Sequence, residues 1–225
     1  MTKDDFSSES GLIRAHATRQ PTNSALLLDG RRLDYAALDA EMNRVAAALQ
    51  RDGVKPGEAI AISAATSLEY AVVFLGSVRA GVAVAPLAPE STPAVLAATV
   101  ADCGARLFFL SGPVADRVAP AQASIGARCI ALDDSTAGAA YSNWLAAPGA
   151  CPQAVDARPD WPFNIIYSSG TTGTPKGIVV PYAYRWTQIQ LFTSLGYGPD
   201  AVTLVSIPLY SNMTLSSFLP TLSIG

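Results

Sequence analysis

Histidine is almost absent from this chain, and its scarcity removes whole classes of chemistry. Among 225 residues there is one, His16. A Ser-His or Cys-His nucleophilic site would have to be built on it. It lies in Leu12-Ile13-Arg14-Ala15-His16-Ala17, read as a short N-terminal helix, where a solvated or packed side chain is expected rather than a catalytic one. A zinc site would need several ligands that the chain does not supply. Cysteine is scarce too. Cys103, Cys129 and Cys151 are odd in number, far apart and without metal-ligand spacing, which predicts reduced thiols in or near the core.

Charge is also thin. Charged residues make up 15% of the chain, the net charge is −3, and no basic cluster is longer than Arg31-Arg32, which argues against a nucleic-acid partner. A membrane span is not expected, because Glu69 and Arg79 interrupt the apolar stretch from Ala59 to Pro89. The start, Met1-Thr2-Lys3-Asp4-Asp5-Phe6-Ser7, is polar and acidic and carries no signal-peptide apolar segment. These features read as a cytoplasmic protein. At 50% hydrophobic, it can bury a sizeable core as one large domain or two small ones.

What the chain does have is concentrated in Tyr167-Ser168-Ser169-Gly170-Thr171-Thr172-Gly173-Thr174-Pro175-Lys176-Gly177, directly after the apolar run Phe163-Asn164-Ile165-Ile166. Glycines admit positive φ and bring backbone N–H groups close to an anion. Ser and Thr hydroxyls rotate to donate to phosphoryl oxygens, and Lys176 adds a compact positive charge. Pro175 stiffens the turn. This is a phosphate-holding composition, set against the plainer alternative of a Gly/Thr-rich surface turn without a ligand. It is not the GxxxxGK[ST] loop. Counting from Gly170, Pro175 stands before the lysine where Gly is required, and Gly177 follows where a magnesium-holding Ser or Thr is required.

Around this loop, strands and helices alternate. Ala25–Leu28 and Arg32-Leu33 read as strands joined by a turn at Asp29-Gly30. Asp34 caps a helix whose Leu38, Met42, Val45 and Leu49 recur at helical spacing, and Gly53 stops it. Strands follow at Ala59–Ile62, Val82–Ala85, Leu107–Leu110 and Cys129–Leu132. Between them lie helices capped by Ser67 and by Ser91 or Thr92, and a looser helix from Val114. Such β-α-β alternation predicts an α/β fold with largely parallel sheets and helices on both faces. The Ala/Pro/Gly/Asp-rich stretch after Ala146 reads as a linker. The expected division is therefore 1–147, a linker at 148–160, and the start of a second subdomain at 161–225. That second part holds strands at Phe163–Ile166, Ile178–Val180 and Val202–Ser206, an aromatic-rich helix from Tyr182, and a final apolar helix.

The loop SSGTTGTPKG resembles the signature of the adenylate-forming (AMP-binding) superfamily: acyl- and aryl-CoA synthetases, luciferases and the adenylation domains of peptide synthetases. Leu33-Asp34-Tyr35-Ala36-Ala37-Leu38, Asn43-Arg44-Val45-Ala46-Ala47-Ala48-Leu49, Gly53–Glu58, Gly76-Ser77-Val78-Arg79-Ala80-Gly81-Val82 and Pro86-Leu87 continue the likeness from about residue 12 to 225. Most of that is scaffold, and the loop is the specific part.

The resemblance implies an ATP-dependent acyl-CoA or aryl-CoA synthetase that turns a small-molecule carboxylic acid into an acyl-adenylate before transfer to CoA. ATP, Mg2+ and coenzyme A would be its cofactors. Ser168, Ser169, Gly170, Thr171, Thr172, Gly173 and Thr174 would cradle phosphate, with Lys176 in a supporting catalytic role. Two other readings stay open: an adenylation domain loading a carrier protein, and a non-catalytic nucleotide- or acyl-binding module. The segment Pro208-Leu209-Tyr210-Ser211-Asn212-Met213 resembles the family's acid pocket, which implies that Tyr210, Ser211 and Asn212 line it. Alternatively, Tyr210 is core and Asn212 caps the last helix.

Departures from the pattern are clear. Many relatives carry histidines where this chain has Tyr182 and Ser211. In relatives, a Tyr-Gly-x-Thr-Glu segment that helps hold magnesium, a ribose-binding aspartate and the principal catalytic lysine lie downstream of the region matched here, so the resemblance implies no metal ligand in this chain. The resemblance thus implies the incomplete N-terminal domain of such an enzyme, inactive alone. Its apolar surface along the last strand and helix would be exposed and open to homo-oligomer formation.

Overall fold

A computed structural model describes residues 6–168 and 175–225. Its centre is a seven-stranded sheet in the order β7-β6-β5-β3-β4-β8-β9. The strands are β3 (Ala59–Ser63), β4 (Ala83–Pro86), β5 (Leu107–Leu110), β6 (Arg128–Ala131), β7 (Ala139–Ala140), β8 (Pro162–Ser168) and β9 (Lys176–Pro181). All neighbours are parallel except β8 and β9, which form an antiparallel hairpin. A separate two-stranded sheet pairs β1 (Ser24–Leu28) with β2 (Arg31–Asp34). Among the described residues, no helix is long and apolar enough to cross a membrane.

Every residue of β3, β4 and β5 is buried, as a parallel sheet covered on both faces requires. Strand alternation sorts the side chains. Ile60, Ile62, Val84, Leu107 and Phe109 join a core with α2 (Tyr35–Arg51) and α3 (Leu68–Arg79). Ala61, Ala85, Phe108 and Leu110 join a second core with α4 (Pro93–Asp102) and α5 (Gly112–Val118). The helix starts follow the sequence. Asp34 accepts from the Ala37 amide at 2.9 Å, Ser67 from Tyr70 at 3.0 Å and Thr92 from Val95 at 3.3 Å. His16 is packed, in α1 (Glu9–Arg19), and its Nε2 donates to the Ser223 carbonyl at 2.9 Å, tying α1 to α8 (Asn212–Ile224). Cys103 and Cys129 are half-buried and Cys151 is exposed, so the third thiol departs from the expected core placement.

Residues 145–161 contain no helix or strand, and they are strapped to α2. Gln50 exchanges two hydrogen bonds with Gln153, and Arg44 donates to the Ala146 carbonyl at 2.7 Å. Beyond the strap, β8 joins β4 by parallel pairing at Val84 and Asn164, so one sheet continues across 148–160. The strand expected at Val202–Ser206 does not form. Its alternation is real, with Val202 94% and Leu204 87% exposed while Val205 packs on the core, but the segment finds no strand to pair with among the described residues.

Close packing of α2 on α3 depends on Gly76. A Cβ there would lie 2.5 Å from Val45 Cβ and 3.0 Å from the Met42 carbonyl oxygen. Gly76→Ala should cost about 1–3 kcal/mol of stability by overpacking, read as a lower Tm in thermal unfolding. A second prediction concerns Glu9, which is 1% exposed and whose carboxylate oxygens have no hydrogen-bond partner among the described residues. Burial pushes its pKa from 4.5 up to about 8, against a smaller downward pull from its own nearby backbone and the charge of Arg185. The folded state therefore binds more protons than the unfolded chain between those values. The resulting stability is fully present below pH 4.5 and is lost as pH rises through about 8. Glu9→Gln should match the parent Tm near pH 4.5 and exceed it by several degrees at pH 8. A difference that does not change with pH would contradict this origin.

Candidate functional site

Strand β8 runs parallel to β3, β4 and β5, so its carboxyl end emerges with theirs. Chain order places β4 on one side of β3 and β5 on the other, and the helices that follow β3 and β4 cover opposite faces. Open α/β sheets hold ligands in the crevice that such a reversal leaves at the strands' carboxyl ends. Strand β8 ends beside that crevice at Ser168, and β9 starts there at Lys176. Their last ladder pair is Ser168 with Lys176, both exposed. Ser169, Gly170, Thr171, Thr172, Gly173 and Thr174, the heart of the expected cradle, lie outside the described residues. Lys176 makes no ion pair with any described residue, which leaves its ammonium available to an anion at the mouth of the turn.

The hairpin is anchored just below its mouth. The Tyr167 hydroxyl donates to Asp102 Oδ2 at 2.5 Å, with the Thr99 carbonyl oxygen 3.2 Å away, both on α4. Burial, reinforced by Asp102, raises the Tyr167 pKa, so the phenol stays protonated as a donor. Across the ladder Gly177 leaves room for that ring, because a Cβ there would lie 3.2 Å from Tyr167 Cζ. From the other side, the Leu209 amide donates to Thr66 Oγ1 at 3.2 Å. This brings the 208–212 segment over the loop after β3, at the same end of the sheet as the turn.

Beside the hairpin lies an open groove of about 310 Å³, lined by Ile166, Ile178, Val179, Val180, Tyr184 and Asn212 among others. Of the three residues expected to line an acid pocket, Asn212 is at this groove, while half-buried Tyr210 and Ser211 are not. The structure places Ser211, not Asn212, at the N-cap of α8, and no side-chain bond caps that helix. Asn212 Oδ1 instead accepts from Arg185 Nη2 at 2.7 Å.

Arg185 is the residue that reading the sequence missed. It lies on α7 (Tyr182–Ser194), is 1% exposed, and also donates to Asn164 Oδ1 on β8 at 2.9 and 3.2 Å and to Gln188 Oε1 at 2.8 Å. Its guanidinium sits over the rings of Phe163 and Tyr184, 5.8 and 5.6 Å from their centroids. Burial lowers its pKa to about 10, partly offset by Glu9, and the group remains cationic at neutral pH. The signal that could have found it is a lone charge in the aromatic-rich run Tyr182-Ala183-Tyr184-Arg185-Trp186. Such a charge is either solvated or held by buried acceptors.

The family model described as AMP-binding enzyme matches residues 13–225. The fatty acid–[acyl-carrier-protein] ligase ScoC of Streptomyces coeruleorubidus is 33% identical over 171 residues, covering 74% of this chain and 31% of that protein. The 4-coumarate–CoA ligase 3 of Oryza sativa subsp. japonica is 28% identical over 195 residues, covering 84% of this chain and 35% of the relative. The chain therefore spans about a third of the length of these relatives. In fold it is similar to the anthranilate CoA ligase AuaEII, solved in complex with anthranoyl-AMP, with a TM-score of 0.91 at 19% identity over 100% of this chain and 45% of that one. With the parallel sheet, the hairpin and its SSGTTGTPKG turn, these matches show that the chain belongs to the AMP-binding enzyme family.

Proposed function

We propose that this chain supplies the triphosphate-holding part, and part of the acid site, of an AMP-forming carboxylic acid–CoA ligase. The observation that carries the reading is the exposed Lys176, which makes no ion pair with any described residue and directly follows the Ser/Thr/Gly-rich segment, at the carboxyl end of a doubly wound sheet. In the reaction the acid's carboxylate oxygen attacks the α-phosphorus of ATP. A new P–O bond forms, the bond to the β-phosphate oxygen breaks, and pyrophosphate departs with the electron pair. The CoA thiol then displaces AMP from the acyl carbon.

Little covalent work falls to the protein, which positions the groups and neutralises charge. Ser168 and the residues 169–174 donate hydrogen bonds to the β- and γ-phosphoryl oxygens, and Lys176 offsets charge on the leaving pyrophosphate. Mg2+, bound with ATP, supplies further neutralisation that one lysine and backbone dipoles cannot provide. The aliphatic and aromatic groove at Ile166, Val180 and Tyr184 suits the apolar body of the acid. A carrier-protein thiol in place of CoA is favoured by one observation, the 33% identity to an acyl-carrier-protein ligase. Product analysis with CoA and with a pantetheinylated carrier protein separates the two acceptors.

ATP–pyrophosphate exchange by the full-length protein over a panel of carboxylic acids tests the adenylation step. Exchange with at least one apolar acid is expected, and none with any acid would overturn the reading. Lys176→Ala should lower kcat/KM for exchange by about 10- to 100-fold, the scale of one charge-assisted hydrogen bond. An unchanged value would remove the lysine from the site.

A further inference from the structure

The Asn212 side chain is oriented by a partner that can only donate. A guanidinium has five N–H donors and no acceptor, so the contact with Arg185 Nη2 at 2.7 Å fixes the amide oxygen on the arginine side. The opposite rotamer would set the amide NH2 against the guanidinium N–H groups. The backbone is held as well. Arg185 Nη1 donates to Gln188 Oε1 at 2.8 Å, Gln188 Nε2 donates to Ser216 Oγ at 3.0 Å, and Ser216 Oγ donates to the Asn212 carbonyl at 2.9 Å. This closes a ring of hydrogen bonds through α7 and α8 that leaves Asn212 little freedom. Asn212 Nδ2 donates to no described residue, and Asn212 lines the groove whose other walls include Ile166, Ile178, Val179 and Val180.

We propose that Asn212 is a specificity-determining residue, held by Arg185 as a positioning residue, and that the groove selects acids whose apolar body carries a hydrogen-bond acceptor. The acceptor is a hydroxyl, ether or carbonyl oxygen, or a ring nitrogen, facing Asn212 Nδ2. This inference rests on the reading that the groove receives the acid. An amide donor turned into an apolar groove loses its water when a plain hydrocarbon acid enters and regains a partner only from an acceptor-bearing one. Arg185 itself does not reach the ligand, being 1% exposed. Its part is to keep the donor, rather than the acceptor, of the Asn212 amide in the groove.

The test is ATP–pyrophosphate exchange by the full-length protein with pairs of acids matched in size, one bearing the acceptor and one carrying CH2 or CH in its place. The parent protein should favour the acceptor-bearing member by about 10-fold in kcat/KM, the scale of one neutral hydrogen bond. Asn212→Asp keeps an oxygen for Arg185 and puts a second oxygen in the groove, so the preference should invert. Arg185→Met frees the amide to rotate and should flatten the ratio, while Arg185→Lys, which still only donates, should largely retain it. A purely structural role would lower both members of each pair alike. Should Arg185→Met fail to fold, the Asn212→Asp and Arg185→Lys variants still decide. Equal use of both members by the parent, or a ratio unmoved by Asn212→Asp, would overturn the inference while leaving adenylation standing. Absence of exchange with every acid would overturn both.

Discussion

One buried cation, Arg185, organises the candidate site. The Arg185 guanidinium is withdrawn from water at a desolvation cost that lowers its pKa to about 10, and it is held by the side-chain oxygens of Asn164, Gln188 and Asn212. Asn164 is on β8, the strand that leads into the Ser/Thr/Gly-rich segment, and Asn212 opens α8 at the edge of the groove. One side chain thus sets the position of the groove relative to the hairpin. The arrangement is directional, since a donor-only group dictates which end of each amide faces it. A hydrophobic contact of the same area would carry no such information.

The sheet supplies the rest of the positioning. Its three fully buried strands, β3, β4 and β5, are rigid because both faces are covered, and all end at the crevice. The hairpin added beyond β4 is less enclosed. Ile178 and Val179 on β9 are 53% and 57% exposed, and Leu195, Val202, Leu204 and Met213 add further exposed apolar surface after β9. The tightly packed half positions the strands, and the open half carries the groove and the facing ends of β8 and β9. That division of labour is common where ligands must enter and leave.

Local physics was legible in the sequence. The Asp34, Ser67 and Thr92 caps, the spacing of Leu38, Met42, Val45 and Leu49, and the Ala59–Ile62 and Leu107–Leu110 runs each pointed to the element that forms. Pairing was less legible. Val202–Ser206 has a strand's alternation, yet a ladder needs a partner, and partners are set by tertiary structure. Of the candidate site, the SSGTTGTPKG turn announced itself by composition, and Asn212 by its place in a recognisable segment. The Arg185 cluster did not, because two of its three acceptors are 21 and 27 residues away and Glu9 lies on the first helix. A glutamate in the first turn of a helix reads as a solvated, dipole-favoured residue, and only the folded chain shows it buried, where Phe6, just before α1, packs edge-on against Tyr182 and Trp186 of α7.

The claim on which the account turns is that the β8–β9 turn and Lys176 hold the triphosphate of ATP. The most direct measurement is a crystal structure of the full-length protein with a non-hydrolysable ATP analogue. The account predicts the β- and γ-phosphates against residues 168–174, with Lys176 Nζ in hydrogen-bond contact with a phosphoryl oxygen. Phosphates bound away from the hairpin, with Lys176 still facing solvent, would contradict it.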